Sequence, residues 1–500
     1  MAAMFPSGVR PALLTKLAAA AALVALADLI VWETKGFGAT VGVFCLAFAA
    51  AFALTQPAAL RDRRALIFLA MACVMGLLLV ERPTFAGWFL FGTFIGMASL
   101  SPRAGLADDA WRWLQRLAWQ PLVGSIGPAK DLLRLMSPRL KRLRRPGLLA
   151  LIPMLLLPLV GGLLFLGLFA AANPLIADAL SGFEFSLDLP RLIFWGFVFT
   201  VVWAVLRPRF LRRPLPTPGV RGEKLLPGVT LASVVLSLVV FNALFAVQNG
   251  LDLAFLWSGQ RLPEQFTLAE YVKAGVFPLM TSALLTGLFV LVALRPGSEV
   301  TANRAVRVLL GLWVAQNLFV VASSAYRMVL YVESYGLTRT RIVVLIWMLL
   351  VAIGLASILW RVLRDKTSGW LLNLNASAVL AAIAFCAVVD LGEITARWNI
   401  AHAKEMGGRG VELDVHYLYR LGPAAAVPLA ELSHRRLPPC LGLEVASQRD
   451  AVLHELGRAQ DDWRRWTFSG QRRLDRATAL ARTAPPSKLS SNQVCMRLER

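Results

Sequence analysis

Charged side chains are scarce in this chain. They make up 16% of its 500 residues while 57% are hydrophobic, against about 25% charged in an ordinary soluble domain. There is no Gly/Ser linker, collagen-like repeat, polar low-complexity tract or clear internal repeat, so neither a linker-joined nor a fibrous architecture is indicated. Catalytic and nucleotide-binding signatures are missing as well: no Walker loop, no Rossmann glycine fingerprint, no His-Glu-x-x-His and no Gly-x-Ser-x-Gly. Histidines number four (His402, His416, His434 and His454), all beyond the last apolar run and in no zinc spacing. That disfavours a membrane di-metal enzyme, and no metal or cofactor is expected.

What the chain has instead is apolar runs of membrane length. Eleven are legible, at 12–32, 37–55, 65–81, 84–100, 147–170, 190–206, 226–249, 274–294, 306–330, 342–360 and 373–391. They predict an all-α fold, with a polytopic transmembrane helical bundle over 1–391 and a small α-helical extramembrane region over 392–500. Lys and Arg give the orientation. With the N-terminus in the cytoplasm, 27 of them fall in cytoplasmic segments and seven in the opposite short loops. The positive-inside rule therefore sets the N-terminus inside and, after an odd number of spans, the C-terminus outside. In a bacterium that describes a multi-pass inner-membrane protein with a periplasmic tail. The net charge of +22 then reflects topology and anionic lipid headgroups, and implies no nucleic acid. Lys16, an apolar run and Ala25-Leu26-Ala27 also fit a cleaved signal peptide. Loss of residues 1–27 would remove one span without inverting the rest.

The largest cytoplasmic loop, 101–146, opens with an amphipathic pattern. Leu106, Ala110, Trp113, Leu114 and Leu117 line one helix face, and Asp108, Asp109, Arg112, Gln115 and Arg116 the other, as suits the headgroup boundary. In the tail, Leu413, Tyr417 and Leu421 form one helical stripe, and Val452, Leu456, Ala459, Trp463 and Trp466 another. Of the five cysteines, Cys45, Cys73 and Cys386 lie in spans as small apolar residues. Cys440 and Cys495 lie in the tail, where an oxidising compartment predicts a disulfide between them.

Polar residues within the spans are the candidates for function, because they are costly in lipid and face protein or a water-filled cavity. The ninth run carries Gln316, Asn317, Ser323, Ser324 and Arg327, with Gln316, Val320, Ser323 and Arg327 on one face, and leaves through Glu333 and Tyr335. The seventh exits through Gln248, Asn249 and Asp252, and the eleventh through Asp390, Glu393 and Arg397. Asn173 stands before Pro174 at the end of the fifth, as a helix stop or a ligand contact. The expectation is one outward-facing polar pocket between spans seven, nine and eleven, in which Arg327 pairs with Glu333, Asp390 or Glu393, either as part of a substrate or ion site or as a structural ion pair that locks helices together.

Several of these stretches resemble a known family. They are AANP at 171–174, QNGLDLAFLW at 248–257, Leu262–Tyr271 with Gly275–Pro278, LWVAQN at 312–317 and SSAYRMVLYVESYGLTRTR at 323–341 with Trp347-Met348, followed by Arg397-Trp398-Asn399, Leu413-Asp414 and Tyr417-Leu418. Together they are similar to bacterial polytopic inner-membrane proteins with domain of unknown function 4173, to which family 4153 is a near relative. Tyr335–Thr338 is the most specific piece. The resemblance implies a multi-pass membrane protein with a soluble C-terminal region and no assigned activity.

Three functions remain open. The first is a non-enzymatic protein that binds, senses or transports something through the outward-facing pocket. The second is a membrane-embedded enzyme acting on lipid or envelope precursors, with Glu333, Asp390 or Glu393 as acid or base. The third is an envelope scaffold. The partners expected are membrane lipids and an unknown small molecule or envelope protein.

Overall fold

The computed structural model describes residues 9–32, 36–105, 108–142, 188–217, 230–258, 303–364 and 366–483, together with residues 162, 166, 169, 173, 278, 280–287 and 289. Among the described residues every regular element is helical. In chain order these are α1 (Val9–Val31), α2 (Thr40–Thr55), α3 (Arg63–Glu81), α4 (Phe85–Leu100), α5 (Ala110–Arg142), α6 (Leu189–Leu206), α7 (Leu231–Asp252), α8 (Arg304–Tyr335), α9 (Arg339–Leu363) and α10 (Ser368–Val388). All of them except α2 and α5 are long and apolar enough to cross a membrane, and α2 is an apolar helix of 16 residues. Nine of the eleven predicted runs therefore coincide with helices, and the other two, 147–170 and 274–294, lie largely outside the described residues.

By its contacts the chain divides into two compact units. One comprises Met1–Leu77, Phe91–Leu106 and Leu114–Pro214, and the other Leu78–Leu90, Ala107–Trp113 and Leu215–Arg500. In the first, α1 packs against α2 and α6. Asp28 joins α1 to α6, accepting hydrogen bonds from Arg191 at 2.8 and 2.6 Å and from the Trp195 indole at 2.8 Å.

α5 corrects the predicted amphipathic pattern. Arg116 is buried, with its guanidinium 4.3 Å from the centre of the Phe210 ring, while Leu114, Trp119 and Leu122 are exposed. Gln120 is buried too, donating to Ser99 Oγ at 2.8 Å and to the Ala204 carbonyl at 3.1 Å. An aromatic face offsets the cost of covering a guanidinium. Gly124 permits the approach, since a Cβ there would meet the Ala204 Cβ at 2.5 Å. Exposed Trp119 and its leucine neighbours still suit a headgroup boundary.

In the second unit α7 and α8 run parallel. Asn242 Nδ2 donates to the Leu309 carbonyl at 3.0 Å and Asn249 Nδ2 to the Gln316 carbonyl at 3.2 Å, each bond linking residues 67 apart in sequence. The two rungs are one heptad apart on both helices, the spacing that keeps a single seam facing its neighbour. Around them Val234, Leu238, Leu310, Trp313, Met348 and Leu355 form one apolar core.

α8 stops at Gly336, whose φ of 77° and ψ of 170° fall in a region that is essentially glycine's own. α9 starts three residues later, capped by the Thr338 hydroxyl, which accepts from the Arg341 amide at 3.3 Å. Gly336→Ala should cost about 1–3 kcal/mol. It should show as a lower thermal midpoint of the detergent-solubilised protein, and an unchanged midpoint would mean that the turn relaxes freely.

The eleventh run ends earlier than predicted, at Val388, and Asp390 begins a new helix. The tail consists of α11 (Leu391–His402), α12 (Val415–Arg420), α13 (Ala426–Leu432), α14 (Pro439–Asp461) and α15 (Phe468–Thr483). Their shared core includes Ala396, Leu418, Leu429, Val445, Val452, Leu456 and Ala477. The second predicted stripe stops short, because α14 ends at Asp461 and Trp463 beyond it is exposed.

Candidate functional site

A charged group inside a span needs a partner at close range. Asp252, at the end of α7, is fully buried and pairs with Arg327 of α8, which is 2% exposed. Gln248 Nε2 donates to the same carboxylate at 3.0 Å. Directly after Asp252 the backbone widens into a π-helical turn, Leu253–Trp257, in which the Ser258 amide donates to the Leu253 carbonyl at 3.0 Å. Such a turn takes one more residue than an α-helical one, and here it coincides with Trp257 lying over α8. The indole donates to Ser323 Oγ at 3.0 Å and stacks on Tyr326 with 4.9 Å between ring centres. Asn317, fully buried, accepts from the Thr286 hydroxyl at 2.8 Å.

Segments far apart in sequence meet at the turn between α8 and α9. Asn399 of α11 donates to the Leu337 carbonyl at 2.9 Å and accepts from the Leu337 amide at 2.7 Å, so one side chain holds both polar groups of that residue. The Tyr417 hydroxyl accepts from the Arg339 amide at 3.3 Å. Arg341 donates to the carbonyls of Tyr335 and Gly336 and lies over the Tyr331 ring. A pocket of about 100 Å³ is lined here by Glu333, Tyr335, Trp398, Glu412 and Asp414, among others.

A larger cleft, of about 680 Å³, opens at the ends of α3 and α10. Asp390 organises it. One carboxylate oxygen caps α11, accepting from the Gly392 and Glu393 amides at 2.9 and 3.2 Å. The other receives Arg473 at 2.5 Å and Arg82 at 3.0 Å. Arg473 also reaches Glu393 at 3.0 Å, and Arg397 joins Glu393 to Glu431 at 3.1 and 2.8 Å. Arg82 donates in addition to the carbonyls of Ala387 and Val388, which the end of α10 leaves without helical partners. Arg472 pairs with Glu81. Leu78, Ala387, Val388 and Val427 supply the apolar part of the lining. Burial pushes the Asp390 carboxyl up, but the charge and hydrogen bond of Arg473, the charge of Arg82 and the Glu393 amide outweigh it and hold the group below the usual carboxylate range.

A family model described as a domain of unknown function (DUF4153) matches residues 16–432. The chain belongs to the DUF4153 family. The relative named beside the expected resemblance, not family 4173 itself, is thus the one that the match shows. No curated protein and no solved structure matches the chain. The DUF4153 match runs from α1 to the end of α13, so α14 and α15, with Arg472 and Arg473 of the cleft, lie beyond it.

In this DUF4153 chain the candidate residues fall, among the described residues, into three groups. Gln248, Asn249, Asp252, Gln316, Asn317 and Arg327 gather along α7 and α8; Glu333 and Tyr335 line the small pocket at the turn; Asp390 and Glu393 line the cleft, with Arg397 bound to Glu393. Arg327 takes Asp252 as its acidic partner rather than Glu333, Asp390 or Glu393. Asn173 is exposed in the first unit, its backbone N–H donating to the Phe169 carbonyl at 2.8 Å. Cys440 is disulfide-bonded, and its expected partner, Cys495, lies outside the described residues. Glu81, Arg82, Arg472 and Arg473 were not anticipated. Arg82 lies just past the end of α3, and its partner is 308 residues further along the chain, so no local pattern connects them.

Proposed function

We propose that this DUF4153 protein is a non-enzymatic binding protein of a bacterial inner membrane, with its N-terminus in the cytoplasm and its tail in the periplasm. The observation that carries this reading is the 680 Å³ cleft, where arginines and carboxylates stand above an apolar patch at the ends of two spans. Its volume suits a small-molecule ligand. Its mixed lining suits an amphiphile, with a polar head among the charges and an apolar portion against Leu78 and Val388. The disulfide at Cys440 supports a tail in an oxidising compartment, as does the excess of Lys and Arg in the segments assigned to the cytoplasm.

Binding is favoured over catalysis by the engagement of Asp390. A general acid or base works best with its pKa near the operating pH, whereas Asp390 is held low and engaged by two arginines. Ser469 lines the cleft in the first turn of α15. Ser469→Trp should fill the cleft, leaving accumulation in the membrane and the thermal midpoint near those of the wild type. Small molecules released from the two purified proteins would be compared by mass spectrometry, and an identical set at identical occupancy would remove the cleft as the binding site. For the tail, peptide masses with and without reductant should shift at Cys440, and a free thiol there in protein isolated under alkylating conditions would argue for a cytoplasmic tail.

A further inference from the structure

The seam between α7 and α8 carries more polar groups than its side chains satisfy. Asn242 uses its amide nitrogen on the Leu238 and Leu309 carbonyls, at 2.7 and 3.0 Å, and Asn249 uses its own on the Gln316 carbonyl. Those bonds fix the direction of each amide, because reversing it would set oxygen against oxygen. What remains is Oδ1 of both asparagines and Oε1 of Gln316, all buried and without a hydrogen-bond partner among the described residues. The Trp313 indole N–H is left over in the same way, on a side chain 3% exposed and packed against Phe241 and Phe245 of α7. Ser324, fully buried and about one turn from Arg327, adds a hydroxyl oxygen with no partner among the described residues.

Native proteins seldom leave such groups unmet, and buried water is what usually meets them. The chemistry narrows the choice of ligand. A cation would serve the carbonyl oxygens but not the indole N–H, and an anion the reverse. Water donates and accepts, so unlike either ion it serves the whole set. We propose that the α7–α8 seam encloses a file of ordered water, running about 10 Å from Asn242 to Asn249 and on towards the Asp252–Arg327 pair. The pair stands at its outer end as a stopper. Opening that pair then exposes a wet path to the middle of the membrane rather than a dry gap.

Two tryptophans make a matched test. Trp203 is 2% exposed, against 3% for Trp313, but its indole N–H is satisfied by Asp131 at 3.3 Å. The full-length protein in nanodiscs would be exposed to a radiolytic hydroxyl pulse in ¹⁸O-labelled water, and oxidation read at each tryptophan by mass spectrometry. A water beside Trp313 should make it oxidise several-fold faster than Trp203, and equal rates would overturn the proposal. Asn249→Leu should then bring the rate at Trp313 down to that of Trp203 and leave Trp203 unchanged. A rate at Trp313 that ignores the substitution would show that the label arrives from elsewhere. If the variant does not accumulate, the comparison within the wild type still decides.

Discussion

Arg327→Met should strip the protein from the membrane fraction. The substitution keeps length and apolar bulk but leaves the Asp252 carboxylate fully buried beside Gln248, without its guanidinium. Breaking one side of a buried ion pair costs about 3–5 kcal/mol, a large share of the roughly 5–15 kcal/mol that holds a typical domain together. Asp252→Leu alone should also be harmful, because it takes from the buried Arg327 guanidinium the carboxylate it pairs with. The double variant should recover much of the loss, since exchanging a buried pair for apolar residues is often neutral or better. Accumulation in membranes and the thermal midpoint in detergent are the readouts. If Arg327→Met accumulates and melts like the wild type while its phenotype disappears, the pair is there for function rather than for folding.

How far this could be read in advance depended on the kind of signal. Apolar length is a local property, and it located α1, α3, α4 and α6 to within a few residues. The polar face of α8 was legible for the same reason: Val320, Ser323 and Arg327 recur at helical spacing and are all buried. Partners were another matter. Asp252 and Arg327 are 75 residues apart, and Arg82 and Asp390 are 308 apart; no periodicity connects such pairs. Asp390 and Glu393 looked like the polar end of a span, whereas Asp390 caps a separate helix and binds α15. The burial of Arg116 was illegible because a charged residue on an amphipathic helix ordinarily faces water, and only the position of Phe210 reverses that. The pieces of the family resemblance fared better, since Tyr335–Thr338, Asn399, Asp414 and Tyr417 all come together at one turn.

Substitutions at Asp390 separate the two tasks of that residue. Asp390→Asn keeps an oxygen that can accept from the Gly392 and Glu393 amides but loses the charge opposite Arg82 and Arg473. Asp390→Ala loses both. The cap is worth about 1 kcal/mol, and a hydrogen bond to a charged partner about 1.5–3 kcal/mol. Stability should therefore fall from wild type to Asp390→Asn and again to Asp390→Ala. Protease cleavage in the segment 403–414, between α11 and α12, should quicken in the same order. Acid adds an independent check. Because the folded carboxyl is held below its ordinary value, its contribution is complete above about pH 3.9 and is lost as the pH falls from there through the folded value. The wild-type tail should consequently loosen across that acid range, whereas Asp390→Asn should start looser and show a shallower response. Parallel acid curves for the two proteins would mean that the Asp390 charge does not hold α15 in place. The docking would then rest on Arg472–Glu81 and the apolar core of the tail.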